Sequence, residues 1–253
     1  MIRINVLTVF PEMFGPVKDQ SILGKAAEKG AVEVNLINIR DFTEDKHRRT
    51  DDTPFGGGCG MLMTPQPVFD ALKSVGGVED HRILYMSPRG KIMDEQLIRS
   101  LAEEDEFTIL CGHYEGVDQR ILDRWNMEEV SIGDYVLTGG ELPAMVLIDA
   151  VSRFIPGVLG NEESADDESV YSGLLEADQY TRPREYEGME VPEILTGGDH
   201  HKIRLWQLEE SIRITAERRP EMLEAWAGSD PDLSDFTKAE KKEIKDLIKS
   251  LIR

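Results

Sequence analysis

Residues 107–118 read Phe-Thr-Ile-Leu-Cys-Gly-His-Tyr-Glu-Gly-Val-Asp, an apolar β-type run followed at once by a glycine-bearing loop. Similar runs alternate with helical patterns along residues 1–155: strands are predicted at 2–9, 32–39, 82–86 and 107–111, and helices at 21–29, 68–74, 95–102 and 141–154. This alternation is typical of an α/β domain with a largely parallel sheet. Because open α/β sheets bind ligands beyond the carboxyl ends of their strands, we expect a binding site at residues 112–118.

Two further glycine-bearing segments accompany this loop. Residues 54–63 read Pro-Phe-Gly-Gly-Gly-Cys-Gly-Met-Leu-Met and follow the cations Lys46, His47, Arg48 and Arg49. Glycines let backbone approach a ligand closely and cations can meet phosphate, although a flexible loop beside a solvated charge run explains the pattern equally well. Residues 130–143 read Val-Ser-Ile-Gly-Asp-Tyr-Val-Leu-Thr-Gly-Gly-Glu-Leu-Pro, and backbone amides in such a loop can recognise the edges of a purine.

The helix predicted at 141–154 has apolar side chains on nearly every face. Such a helix is either fully enclosed within its own chain or shared with a second subunit. Both interpretations are credible, and the second is the more useful hypothesis because it predicts a homodimer.

Composition excludes several classes of protein. Only two cysteines occur, Cys59 and Cys111, too few for a disulfide scaffold or a cysteine zinc site. We expect Cys111 to be buried at a strand end rather than paired with His113 as a nucleophile. The longest uncharged run, residues 54–69, holds four glycines and three prolines, so it predicts loops rather than a membrane span. We therefore expect a cytoplasmic protein with no membrane association.

The net charge of the chain is unusual for a nucleic-acid-binding protein. The 29 Lys and Arg residues face 49 Asp and Glu residues, a formal net charge of −20. This argues against nucleic-acid binding through bulk positive charge, but it leaves local basic patches possible. Residues 46–49 form one such cluster, and Lys202 and Arg204 lie in another on the first helix predicted near the C-terminus.

The pattern changes after the first domain and predicts three parts: an α/β domain at 1–160, a linker at 161–174 and a helical domain at 175–253. Residues 162–168 carry five acids and no base, which by composition favours a solvated linker. Beyond it, apolar residues mark two helical faces: Leu205, Leu208, Ile212 and Ala216 on one, and Ile244, Leu247, Ile248, Leu251 and Ile252 on the other. Thr237 and Glu240 predict a capping box before the second.

Taken together, these segments resemble the bacterial tRNA (guanine-N1)-methyltransferases, the TrmD family. The resemblance runs in order along nearly the whole chain, at 7–14, 40–43, 56–63, 87–88, 111–116, 131–137, 139–144, 152–160, 180–183 and 188–192. It implies a trefoil-knotted N-terminal domain of the SPOUT type, which composition and periodicity do not reveal. It also implies a homodimer, S-adenosylmethionine as methyl donor, a requirement for Mg²⁺ and methylation of guanosine 37 in tRNA.

The resemblance also implies site residues. The positions that match the cofactor site are Tyr85, Met86, Ser87, Gly112, Tyr114, Glu115, Ile132, Gly133, Asp134, Tyr135, Val136, Leu137, Gly139, Gly140 and Pro143. We expect tRNA to contact Lys46, His47, Arg48, Arg49, Gly57, Gly58, Arg182, Lys202 and Arg204. No set of metal ligands is evident.

The implied catalytic residues include one departure from the family pattern. Arg153 matches the arginine that stabilises charge on guanine O6. The family base is an aspartate directly before a serine, whereas here Glu168 precedes Ser169 and Asp167 lies one residue earlier. Glu168 keeps the carboxylate on a longer stem, and Asp167 serves instead if the register slips by one residue. A knotted enzyme that methylates ribose 2′-OH and a catalytically silent RNA- or cofactor-binding module remain as alternatives.

Overall fold

A computed structural model describes residues 1–159 and 170–252, and the chain divides into two compact units, Met1–Glu162 and Glu163–Arg253. The strands of the first unit are β1 (Ile2–Thr8), β2 (Val32–Asn38), β3 (Asp51–Asp52), β4 (Leu62–Met63), β5 (Arg82–Ile92), β6 (Glu106–Cys111) and β7 (Glu128–Ser131). Its α-helices are α1 (Gly15–Lys18), α2 (Ser21–Glu28), α3 (Pro65–Ser74), α4 (Glu95–Ala102), α5 (Gln119–Trp125) and α6 (Glu141–Ser152). Short 3₁₀ helices cover Pro11–Phe14 and Ile39–Asp41.

Five strands form a parallel sheet in the order β2-β1-β6-β5-β7. The predicted mixed α/β fold with a parallel sheet is therefore confirmed. The four predicted strands and four predicted helices are all present, with boundaries shifted by a few residues. Sequence reasoning missed β7, which has only four residues and starts with two glutamates, and α5, which is capped by the Asp118 side chain.

Both faces of the sheet are covered, because successive side chains of a strand point to opposite sides. On β1, Ile4 and Val6 enter one core, whereas Leu7 enters the other. The first core takes its helical residues from α2, α4 and α6: Leu23, Ala26, Ile98, Leu101, Ala144, Met145, Leu147, Ile148 and Val151. The second takes them from α3 and α5: Val68, Ala71, Leu72, Ile121 and Leu122. Cys111 is fully buried at the end of β6, as predicted, and burial raises the pKa of its thiol.

Helix α6 is not enclosed on all sides by its own unit. Leu147, Ile148 and Val151 are buried in the first core. Leu142 and Val146, however, keep 49% and 45% of their surface exposed. An apolar strip thus remains on the outer face of this helix.

The second unit is mainly helical in its described part. It contains β8 (Glu185–Tyr186), β9 (Met189–Glu190), α7 (Glu193–Thr196), α8 (His200–Arg218), α9 (Pro220–Gly228) and α10 (Lys238–Leu251). Its core consists of Leu174, Ile212, Leu223, Leu233 and Ile244, packed against the predicted apolar faces of α8 and α10. The predicted capping box of Thr237 and Glu240 is present at the start of α10. Assigning 161–174 as a linker stays a prediction.

No helix in residues 1–159 or 170–252 has the length and apolar content needed to cross a bilayer.

Candidate active site

A cleft with a volume of about 450 Å³ lies beside three neighbouring strands, where β6 and β7 end and β5 passes through residues 85–89. Its walls come from the loops that follow β6 and β7 and from this part of β5, with Leu62 of β4 and part of α5 at the edge. Parallel strands end on one edge of a sheet, so loops far apart in sequence meet there. The observed site therefore occupies the position that the sequence predicted for residues 112–118.

The walls of the cleft touch at glycines. The Gly140 N–H donates a hydrogen bond to the Gly112 carbonyl oxygen at 2.7 Å. A Cβ at Gly140 would lie 2.8 Å from the Gly112 nitrogen, and a Cβ at Gly112 would lie 2.7 Å from the Tyr85 hydroxyl oxygen. A side chain at Gly140 would force two backbone segments apart, and one at Gly112 would displace the Tyr85 ring, so both glycines are required by close packing.

The cleft gathers the sequence-predicted cofactor positions with one exception. Asp134 is exposed and does not line the cleft. The predicted residues in the lining are Tyr85, Met86, Ser87, Gly112, Tyr114, Glu115, Ile132, Gly133, Tyr135, Val136, Leu137, Gly139, Gly140 and Pro143. Sequence reasoning missed other lining residues, including Leu62, Arg89 and His113. His113 could have been found from the sequence, because it lies within residues 112–118, where a binding site was predicted.

Tyr85 forms part of the floor of the cleft. The residue is 7% exposed, and its hydroxyl lies beside the Val117 backbone. Burial, together with the nearby Glu129 carboxylate, raises the pKa of the Tyr85 phenol above its usual value. The phenol therefore stays protonated at neutral pH and packs against the loop after β6 at Gly112.

The glycine-rich segment is attached to this cleft at one end. The Glu115 N–H donates to the Met61 carbonyl oxygen at 3.0 Å, and the Met63 N–H donates to Gly116 at 2.9 Å. A Cβ at Gly60 would lie 2.3 Å from Glu115 Cγ, so this glycine packs directly on the Glu115 side chain. At the other end of the segment, Phe55 is fully exposed. The segment thus extends from the cleft into solvent.

The predicted catalytic residues are not gathered in the described cleft. Arg153 directly follows the last residue of α6 and does not belong to the cleft lining. Glu168 and Asp167 lie outside the described residues. Residues 1–159 and 170–252 contain no group of three or more His, Cys, Asp or Glu side chains that could hold a metal ion.

Lys46, His47, Arg48 and Arg49 are all exposed, and the two arginines have acidic partners. Arg48 forms an ion pair with Asp41, and Arg49 bonds Asp45 at 3.0 Å. The Arg49 side chain and the His47 backbone lower the pKa of Asp45 to about 2.

The remaining predicted RNA contacts are also exposed. In the second unit, Lys202 pairs with Asp199 at 3.2 Å and Arg204 pairs with Asp235 at 3.0 Å, while Arg182 is exposed. In the first unit, Gly57 and Gly58 are exposed in the glycine-rich segment.

A parallel sheet with a cleft built from one strand and the loops beyond its two neighbours defines an α/β protein with a small-ligand site. The tightly packed glycines and the apolar wall of Ile132, Leu137 and Pro143 make that site suitable for a flat heterocyclic ligand. The family model of tRNA (Guanine-1)-methyltransferase TrmD matches residues 2–225, and the chain belongs to this family of methyltransferases.

Curated relatives agree with this assignment. A Clostridioides difficile (strain 630) protein is 50% identical over 220 residues, which cover 86% of this chain and 95% of the relative. One from Ruminiclostridium cellulolyticum is 52% identical over 222 residues, or 87% of this chain and 95% of the relative. One from Desulforamulus reducens is 48% identical over 252 residues, or 98% and 97%. All three are named tRNA (guanine-N(1)-)-methyltransferase, so the family resemblance and the enzyme class are confirmed.

Proposed function

We propose that this protein transfers a methyl group from S-adenosylmethionine to N1 of guanosine 37 in tRNA. The observation that carries the proposal is the cleft, because the family resemblance implies cofactor binding at residues that line it, on three adjacent strands and the loops beside them. Since tRNA is the substrate, we expect the protein to act in the cytoplasm.

The cleft fits the proposed methyl donor. Its volume of about 450 Å³ is in the range of small-molecule sites, and its lining combines apolar side chains with closely packed backbone. Ile132, Leu137 and Pro143 would hold the adenine ring, and backbone groups of the same loop would bond its edges. Tyr85 to Ser87 and Gly112 would form the opposite wall. When bound, the donor supplies a methyl group that its sulfonium sulfur already activates.

The acceptor nitrogen requires two groups from the protein. Guanine N1 carries a proton at neutral pH, so a base must remove it while a cation stabilises the charge that develops on O6. We assign the base to Glu168, with Asp167 as the alternative, and the O6 contact to Arg153. A guanidinium is suited to this role because it stays charged and presents several donors in a fixed plane.

The position of Arg153 supports a homodimer. Pro143 in the first turn of α6 lines the cleft, and Arg153 follows ten residues later, about 15 Å further along the helix. Arg153 therefore acts at the cleft of a second copy. The exposed Leu142 and Val146 supply an apolar strip through which two copies of α6 would pack.

The proposal includes a knotted backbone of the SPOUT type. It is supported by the sheet order, in which β5 lies between the later strands β6 and β7. It is also supported by the path of Gly139, which pairs with His113 in an antiparallel bridge after the chain has left β7. The chain thus returns to the loop of a strand that it passed earlier.

We assign tRNA binding to both units. Residues 46–49, Gly57 and Gly58 of the first unit would meet the anticodon loop, and Arg182, Lys202 and Arg204 of the second would meet the phosphate backbone. The net charge of −20 predicts weak affinity for random RNA and recognition through shape and a flipped base. Mg²⁺ is proposed on the family resemblance alone, and tRNA phosphates would supply part of its coordination.

The decisive test is a methylation assay on a tRNA transcript with guanosine at positions 36 and 37. We expect a donor-dependent block to reverse transcription at position 37. Methylation of ribose, detected by mass spectrometry of nuclease digests, would instead identify a 2′-O-methyltransferase. Donor binding without any transfer would identify a silent binding module.

The roles of Glu168 and Asp167 can be tested with a matched pair of variants. Glu168→Gln should abolish turnover and leave donor binding by calorimetry unchanged, because the amide keeps the shape but cannot take the N1 proton. Asp167→Asn, one residue earlier, is the control and should retain turnover. The reverse result would move the base to Asp167.

A further inference from the structure

Glu141 is a buried carboxylate beside the cleft to which the proposed chemistry assigns no role. It is the first residue of α6 and only 2% exposed. An ionised carboxylate is costly to bury unless nearby groups bond or neutralise it. The contacts of Glu141 should therefore explain why it is there.

Each carboxylate oxygen of Glu141 faces a different segment. The Thr8 hydroxyl at the end of β1 donates to Oε1 at 2.8 Å, and that hydroxyl accepts from the Phe10 N–H at 2.9 Å. Oε2 lies 3.7 Å from Nδ1 of His113, in the loop after β6. In the part of the chain that the structure describes, this buried Nδ1 has no hydrogen-bond partner. Glu141 and His113 thus face each other just beyond hydrogen-bond distance.

No side chain can fit between these two residues. A Cβ at Gly139 would lie 2.4 Å from Glu141 Oε2 and 2.6 Å from His113 Nδ1. Gly139 and His113 are also paired in the antiparallel bridge, and both line the cleft. Glu141 and His113 therefore both lie against Gly139, at the point where two cleft walls meet.

We propose that Glu141 is a positioning residue, which ties the loop after β6 to the loop before α6 through His113 and so sets the width of the cofactor cleft. When S-adenosylmethionine binds, the walls close and the His113 Nδ1–H donates to Glu141 Oε2. Thr8 holds the carboxylate in place from the end of β1. This inference rests on the proposed function, because it concerns the same cleft and donor.

The first test is Glu141→Gln in the full-length protein. The amide keeps the volume and accepts from Thr8, but it removes the charge that faces His113. We expect the Kd for S-adenosylmethionine, measured by calorimetry, to rise about tenfold, as for the loss of one charge-assisted hydrogen bond. The KM for tRNA should stay unchanged. An unchanged donor Kd would overturn the inference.

A double-mutant cycle tests the coupling to His113. His113→Phe removes Nδ1 and keeps a ring against Phe10, whose centroid lies 5.0 Å from that of His113. It should also weaken donor binding about tenfold, and adding Glu141→Gln should then weaken it little further. If the two losses multiply instead, Glu141 does not act through His113. Should Glu141→Gln fail to fold, unchanged binding by His113→Phe would still overturn the inference.

Ile148→Val is the control for a general loss of stability. Ile148 is 1% exposed on the same helix and is not part of the cleft lining. The substitution should lower the melting temperature and leave the donor Kd unchanged, and weaker binding by this control would overturn the inference. Wild-type protein that neither binds the donor nor methylates tRNA would instead overturn the proposed function.

Discussion

The cleft and the glycine-rich segment use glycine for opposite reasons. At Gly112 and Gly140 in the cleft, an added Cβ would meet other atoms at 2.7 Å and 2.8 Å. Gly56, Gly57 and Gly58 have positive φ angles, and an added Cβ would meet nothing within 4 Å. The first pair is needed because Gly140 touches backbone and Gly112 touches the Tyr85 side chain, and the second group because the backbone turns in a direction that other residues avoid. A closely packed cleft and an open, exposed loop follow from this difference.

The largest effect is expected at Gly140. Gly140→Ala would push a Cβ against the backbone of Gly112 and Cys111, which costs about 3 kcal/mol of unfolding free energy as overpacking does. Displacing a cleft wall by about 1 Å should also weaken donor binding about 100-fold. Thermal unfolding and calorimetric titration measure the two effects. Wild-type affinity in the alanine variant would show that the walls are not rigid.

A smaller effect is expected at Tyr85, whose hydroxyl packs against Gly112 and lies beside the Val117 backbone. Tyr85→Phe removes this hydroxyl and leaves the ring in place. Losing one polar contact of this kind costs about 1 kcal/mol, so the donor Kd should rise severalfold. Hydrogen exchange at the Val117 amide measures the local change, and an unaltered exchange rate there would contradict the assigned contact.

In the glycine-rich segment, Gly57→Ala should weaken RNA binding without changing donor binding. The added methyl meets nothing, but alanine at a φ of +78° is strained by about 1 kcal/mol. We expect the KM for tRNA to rise severalfold and the donor Kd to stay constant. Equal losses of both affinities would show that the segment and the cleft behave as one rigid body.

The smallest effect is expected at the ion pair of Asp45 and Arg49, which precedes the glycine-rich segment in the chain. The pKa of Asp45 is lowered from its usual 3.8 to about 2, chiefly by Arg49. Because the folded pKa is depressed, the ionised carboxylate stabilises the fold above pH 3.8, and this contribution disappears as the pH falls through about 2. Asp45→Asn should therefore be slightly less stable at pH 7, and the difference should vanish in acid. Denaturant titrations at pH 7 and below about pH 2 measure the difference in unfolding free energy between variant and wild type. A difference that persists in acid would not come from the ionised Asp45.

Local pattern was sufficient for the elements with strong apolar periodicity. Helix α4 begins and ends where its pattern predicted, and β1 and β2 differ from prediction only at their ends. Apolar periodicity did not predict β7, because this strand begins with Glu128 and Glu129. It lies at the edge of the sheet and pairs on one side only. Edge strands tolerate polar residues, so their sequences carry a weaker signal.

The contacts of Glu141 with Thr8 and His113 show why part of the site could not be predicted from the sequence. Thr8 and Glu141 are 133 residues apart, and no spacing rule joins them. The cofactor positions themselves were predicted from the family resemblance, not from periodicity or charge. Net charge was a poor guide, because −20 describes the whole chain whereas RNA contacts depend on local clusters.

The sequence by itself determined which segments become strands and helices, where glycine loops follow strands, and to which family the chain belongs. These properties depend on neighbours within a few residues or on motifs in a fixed order. Only the tertiary structure decided that β5 and the loops after β6 and β7 share one cleft, that α6 keeps an exposed apolar strip, and that Glu141 faces His113. The physical reason is that strand order in a parallel sheet differs from chain order, so contacts between distant residues exist only once the sheet has formed.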